Sequence, residues 1–113
     1  MSEPARLKTD LRTECFVYQL VPGQGPQYDE YHSSVWSEVR DSLQASGITD
    51  YSIYRRDDLV ISVWTRNVVA PDPVLSPETR QKVQEWDALM NPLLVAFEDE
   101  HGQPLFADLV YRL

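Results

Sequence analysis

The sequence predicts a single α+β domain in which four strands form one antiparallel sheet with two helices on one face. Three observations carry this. The chain has 113 residues, enough for one hydrophobic core and too few for two. Four segments rich in β-branched and aromatic residues alternate with two stretches whose apolar residues recur at helical spacing. Their order is strand, helix, strand, strand, helix, strand, which is the split β-α-β unit of ferredoxin-like folds.

Residues 1–13 are polar and read as an N-terminal leader, leaving 14–113 as the domain. Cys15-Phe16-Val17-Tyr18-Gln19-Leu20-Val21 reads as the first strand. Pro22-Gly23-Gln24-Gly25-Pro26 stops it. One helix follows. Pro26 suits its first turn, Asp29 and Glu30 suit its positive end, and Tyr28, His32, Val35, Trp36, Val39 and Leu43 make one stripe. Gly47 is placed to close this helix in a left-handed cap, with Ile48 packing just beyond. Asp50-Tyr51-Ser52-Ile53-Tyr54 and Leu59-Val60-Ile61-Ser62-Val63-Trp64 form a hairpin about the polar turn Arg55-Arg56-Asp57-Asp58. The segment from Thr65 to Leu75, with Pro71 and Pro73, is a loop. Ser76-Pro77-Glu78 then opens a second helix. Its apolar face is Val83, Trp86, Leu89, Met90 and Leu93, and Pro92 kinks or ends it. Glu98 to Pro104 is a polar loop, and Leu105 to Leu113 is the last strand. Large apolar groups occupy both alternating sets of the strands. The sheet face away from the helices is therefore expected to pack on a second copy, as in a dimeric α+β barrel.

Composition narrows the partners. Asp and Glu number 18 against 10 Lys and Arg, a net charge of -8, so phosphate backbones and anionic membranes are repelled. No run approaches the roughly 18 apolar residues of a membrane span, and no export signal is evident, so a cytoplasmic address is expected. Cys15 is the sole cysteine, and His32 and His101 lie in different segments. That pattern supports neither an internal disulfide nor a metal site. His101, within Glu98-Asp99-Glu100-His101-Gly102, reads as a solvated loop residue. There is no phosphate-cradling glycine loop, nucleophile elbow or HExxH.

The informative segment is Tyr28-Asp29-Glu30-Tyr31-His32-Ser33-Ser34-Val35-Trp36. Residues 28, 32 and 36 are spaced to stack on one helix face, directed at the sheet. A histidine there is either a packing residue or an acid–base group, and spacing alone favours packing. The functional reading rests on imidazole as a side chain that both accepts and donates protons near neutral pH. Trp86 is likewise core or ligand platform, and Tyr51 core or pocket. Asp87 falls off the apolar stripe and reads as solvated.

With these residues in place, the sequence resembles the L-rhamnose mutarotases from about Cys15 to Leu113. The likeness rests on Phe16-Val17-x-Gln19, Tyr28-x-x-x-His32-x-x-x-Trp36, Gly47, Tyr51-x-Ile53-Tyr54, Gln84-x-Trp86-x-x-x-Met90 and Val110-Tyr111-x-Leu113. It implies a homodimer of ferredoxin-like subunits that interconverts the α and β anomers of a 6-deoxy-L-sugar without metal or organic cofactor. The sugar is L-rhamnose or, in some relatives, L-fucose. By motif position His32 matches the proton donor, and Tyr28 and Tyr51 match substrate-binding tyrosines. Trp86 matches the first of two adjacent tryptophans lining the sugar pocket. Asp87 stands in the second tryptophan's place and offers a carboxylate that can bind sugar hydroxyls. Two other readings stay open. One is a different enzyme on the same barrel, such as a cofactor-free monooxygenase or a dehydratase; the other is a non-catalytic dimeric module.

Overall fold

The computed structural model describes residues 9–113, so the expected leader falls mostly outside the described residues. The first strand, β1 (Leu11–Leu20), begins earlier than its apolar content suggests. Its polar start pairs across to the third strand: Thr13 and Thr65 share a hydroxyl hydrogen bond of 2.9 Å, and Arg66 Nε donates to Glu14 Oε1 at 2.5 Å. Such cross-strand pairs hold a polar strand end that burial does not. The Arg66 guanidinium, together with a Trp64 indole hydrogen bond, keeps the Glu14 carboxyl below the usual range against partial desolvation.

The expected single helix is two, α1 (Gly25–His32) and α2 (Ser37–Ala45). Ser33 is the cause on the N-terminal side: its hydroxyl donates to Glu30 O at 2.6 Å, and its backbone closes α1. Trp36 then sits in extended backbone (φ -62°, ψ 141°) ahead of α2. It therefore does not share a helix face with Tyr28 and His32. Gly47 ends α2 with φ +92°, and a Cβ there would meet Ala70 Cβ at 2.8 Å and Asn67 O at 3.0 Å. Ile48 packs just beyond it, buried as expected.

Strands β2 (Ile48–Arg56) and β3 (Leu59–Asn67) make the hairpin, with a turn tighter than expected: Arg56 pairs with Leu59, leaving only Asp57 and Asp58. Helix α3 (Pro77–Met90) starts where Ser76 accepts a hydrogen bond from Thr79 N at 3.1 Å. A single 3-10 turn, Asn91–Leu93, follows at Pro92.

The last strand is the largest departure. Instead of running from Leu105 to Leu113, the sheet edge is shared by two short pieces, β4 (Leu94–Ala96) and β5 (Leu105–Ala107). Both pair antiparallel with β1, β4 at Gln19–Leu20 and β5 at Cys15–Val17. The strand order is β2-β3-β1 with β4 and β5 along the outer edge of β1, which is the antiparallel arrangement expected of a ferredoxin-like sheet.

All three helices pack on one face. Leu20 and Val60 from the sheet meet Tyr28, Val39, Trp86, Met90 and Leu93 in the core. Strand alternation puts Phe16, Tyr18, Ser62, Trp64, Tyr51 and Ile53 on this same face. Arg55, near the end of β2, locks α1 down through a two-pronged bond to Asp29, with Nε to Oδ1 at 2.7 Å and Nη2 to Oδ2 at 2.5 Å. The guanidinium holds the Asp29 carboxyl below its ordinary value. Gly25 lets this happen, because a Cβ there would lie 2.4 Å from Arg55 Nη1.

Candidate active site

A cavity of about 490 Å³ opens between the helices and the sheet. It has the size of a small-molecule site. Its wall includes all five residues singled out from the sequence: Tyr28, His32, Tyr51, Trp86 and Asp87. They come from three elements: α1 supplies Tyr28 and His32, β2 supplies Tyr51, and α3 supplies Trp86 and Asp87.

The aromatic groups form a continuous set. The His32 ring stacks on Tyr28 at 4.1 Å and 26°, and meets Trp86 edge-on at 5.4 Å and 79°. Trp36, although off the helix stripe, also reaches Trp86 at 5.4 Å. Trp86 is 7% exposed, so it belongs at once to the core and to the cavity wall.

The histidine tautomer follows from its bond. His32 Nδ1 lies 3.0 Å from the carbonyl oxygen of Tyr28. A carbonyl has no proton to give, so Nδ1–H donates and the neutral ring keeps its lone pair on Nε2. Nε2 is then the atom able to take or give a proton.

The phenols are held neutral. Burial, and to a lesser degree the Tyr18 hydroxyl, push the Tyr28 pKa well above that of an ordinary tyrosine. Burial pushes Tyr51 up to about 12. Both therefore serve as hydrogen-bonding groups near neutral pH rather than as phenolate bases. Asp87, at the rim, has its carboxyl pushed up by partial desolvation, which makes its carboxylate a stronger base.

Sequence reasoning missed Tyr18 as a site residue. Its hydroxyl lies 2.5 Å from that of Tyr28, and it lines the same cavity. The available signal was strand alternation, which places Tyr18 on the face of Phe16 and Leu20. Arg40 of α2 also reaches the cavity wall. His101 is placed in an exposed turn beside Glu100, as expected. Among the described residues, no group of three or more His, Cys, Asp and Glu is gathered to hold a metal ion.

A ferredoxin-like sheet whose helix-covered face holds a cavity walled by phenols, indole and one imidazole defines an α+β domain with a pocket of small-molecule size. The sequence places it more closely: the model of a family described as L-rhamnose mutarotase matches residues 13–112, and the chain belongs to that family. An L-rhamnose mutarotase of Rhizobium johnstonii is 32% identical over 102 residues, covering 88% of this chain and 92% of that protein. One from Listeria monocytogenes is 27% identical over 96 residues, covering 82% and 88%. The crystal structure of an L-rhamnose mutarotase from Formosa agariphila superposes with a TM-score of 0.62 at 18% identity, covering 90% of this chain and 98% of that one. At that identity the superposition establishes the shared fold.

Proposed function

We propose that this chain is a mutarotase that interconverts the α and β anomers of a 6-deoxy-L-sugar, L-rhamnose or L-fucose. The observation that carries the reading is His32, whose Nδ1–H is tied to a backbone carbonyl and whose ring stands among Tyr28 and Trp86 in a sugar-sized cavity.

Mutarotation breaks the bond from C1 to the ring oxygen and re-forms it on the other face of C1. The O1–H proton leaves as C1=O forms, and the ring oxygen takes a proton as its bond to C1 breaks. After rotation about C1–C2, the same transfers run backwards. Protons move and no electrons are gained or lost, so the chemistry requires no redox cofactor. His32 Nε2, protonated, donates to the ring oxygen and recovers the proton on closure. The Asp87 carboxylate, made more basic by its partial burial, takes the O1 proton. Tyr28 and Tyr51, held neutral, bond sugar hydroxyls, and the Trp86 face packs on sugar C–H bonds.

Saturation-transfer NMR on the two anomers of L-rhamnose and of L-fucose tests this directly. Protein-dependent exchange, unchanged in EDTA, is the expected result. Absence of exchange with both sugars would overturn the function and favour another enzyme or a binding module on this fold.

The functional unit is a homodimer in the cytoplasm. The sheet face turned away from the helices carries Cys15, Val17, Ile61 and Val63, all half-buried, and Tyr54, 62% exposed. Beyond β5, Leu109, Val110, Tyr111 and Leu113 stand largely in solvent. Apolar surface of this extent is covered in a stable assembly. Light scattering at micromolar concentration should give twice the 13.1 kDa chain mass; a stable monomer would contradict it.

A further inference from the structure

Beneath the cavity the sheet carries hydroxyls where its neighbours are apolar. Tyr18 and Ser62 lie on the helix-covered face among Phe16, Leu20 and Val60. Ser62 is fully buried. Among the described residues its Oγ makes no hydrogen bond of good geometry. It nevertheless faces Tyr18 and Tyr51 closely enough to ease the ionisation of both, against the larger effect of burial. Tyr18 spans the gap from this floor to the helix layer, where its hydroxyl meets that of Tyr28 at 2.5 Å. The rings of Tyr18 and Tyr28 are 6.3 Å apart and tilted at 63°, so the phenols approach oxygen to oxygen. Tyr28 itself is 3% exposed.

A phenol oxygen offers one donor and acceptor lone pairs. Without a partner inside the protein, the Tyr28 O–H turns about its C–O bond and samples several directions. The bond to Tyr18 spends one of these valences within the fold. What remains, a donor if Tyr18 gives the proton and an acceptor if Tyr28 does, is left for a ligand in the cavity that Tyr28 lines. A hydroxyl already in such a bond is also the more polarised partner for a second one.

We propose that Tyr18 is a positioning residue for anomer exchange: held on the sheet opposite Val60, its hydroxyl orients that of Tyr28 toward the sugar. The proposal rests on the mutarotase reading and adds to it a residue that acts on substrate through another. Pairing of this kind matters to a site because its geometry is set before the sugar arrives.

The test is a double-mutant cycle with Tyr18→Phe, Tyr28→Phe and the double variant, read by anomer exchange of L-rhamnose and by thermal melting. Tyr18→Phe keeps the ring and its packing, so the fold is retained. A neutral hydrogen bond of this class is worth about 1 kcal/mol, so kcat/KM should fall roughly 5-fold. The double variant should be no slower than Tyr28→Phe alone within about twofold, because a Tyr18 that acts through Tyr28, rather than from its own place on the cavity wall, has nothing left to orient once the Tyr28 hydroxyl is gone. A purely structural Tyr18 would shift the melting temperature and leave kcat/KM of the folded protein at the wild-type value, which overturns the proposal. Effects that multiply in the double variant also overturn it, since they mean that Tyr18 acts independently. If wild-type protein exchanges no anomers, the mutarotase reading falls and this role falls with it, an outcome recognised from the wild-type control alone.

Discussion

His32→Ala is expected to slow anomer exchange by roughly 100-fold or more while the protein still melts cooperatively. The reason lies in what the imidazole does and does not hold together. It is half-buried on the last residue of α1, and its ring contacts are to Tyr28 and Trp86. Those two remain anchored without it. Tyr28 keeps its bond to Tyr18, and Trp86 keeps Trp36. The loss is therefore centred on proton transfer at Nε2. If the ring served packing alone, the variant would melt earlier and the folded protein would exchange anomers at the wild-type rate. A thermal melt and an exchange rate on the same sample separate the two.

Trp86→Ala is expected to be the most destabilising change at the site, and its effect on the sugar must be read through a gentler variant. The indole is 7% exposed and packs with Leu20, Val60 and Met90 in the core. Truncations of this kind cost about 3–5 kcal/mol, against a total stability of roughly 5–15 kcal/mol. A fall in melting temperature of roughly 12 °C or more follows for a domain of this size. Trp86→Phe retains much of the core volume and removes most of the platform. It should raise the sugar KM with little change in kcat, because stacking on C–H bonds is made equally in ground and transition states. A Phe variant with wild-type KM would remove Trp86 from the sugar site and leave it in the core.

That dual position was only half legible beforehand. Helical spacing placed Trp86 on a buried stripe, and nothing in a stripe separates a residue under the sheet from one lining a cavity above it. The cavity is lined from both α1 and α2, which are separate helices. Their separation lets His32 end one while Trp36 turns back toward Trp86 from an extended link. Ser33, which closes α1, was present in the sequence. The apolar periodicity on either side concealed it, since a 3.6-residue pattern runs through a short break without losing phase.

The sequence by itself determined what depends on near neighbours along the chain. It set the first strand, the central hairpin and the two helical regions, the Ser76 cap of α3, the left-handed Gly47 that ends α2, and the stop at Pro92. Each is a local contest between backbone conformations, settled by one or two side chains. The family resemblance named five of the residues that line the cavity, because motif order survives where spatial distance is invisible. Tertiary structure alone decided the remainder. Leu11 and the polar residues 12–14 became strand because β3 supplied partners for Thr13 and Glu14. The outer edge of β1 was divided between β4 and β5, which no periodicity in three-residue strands announces. Tyr18 met Tyr28 because a sheet floor and a helix, ten residues apart in the chain, face each other across the core. These are long-range pairings, and their energy appears only once the chain has closed on itself.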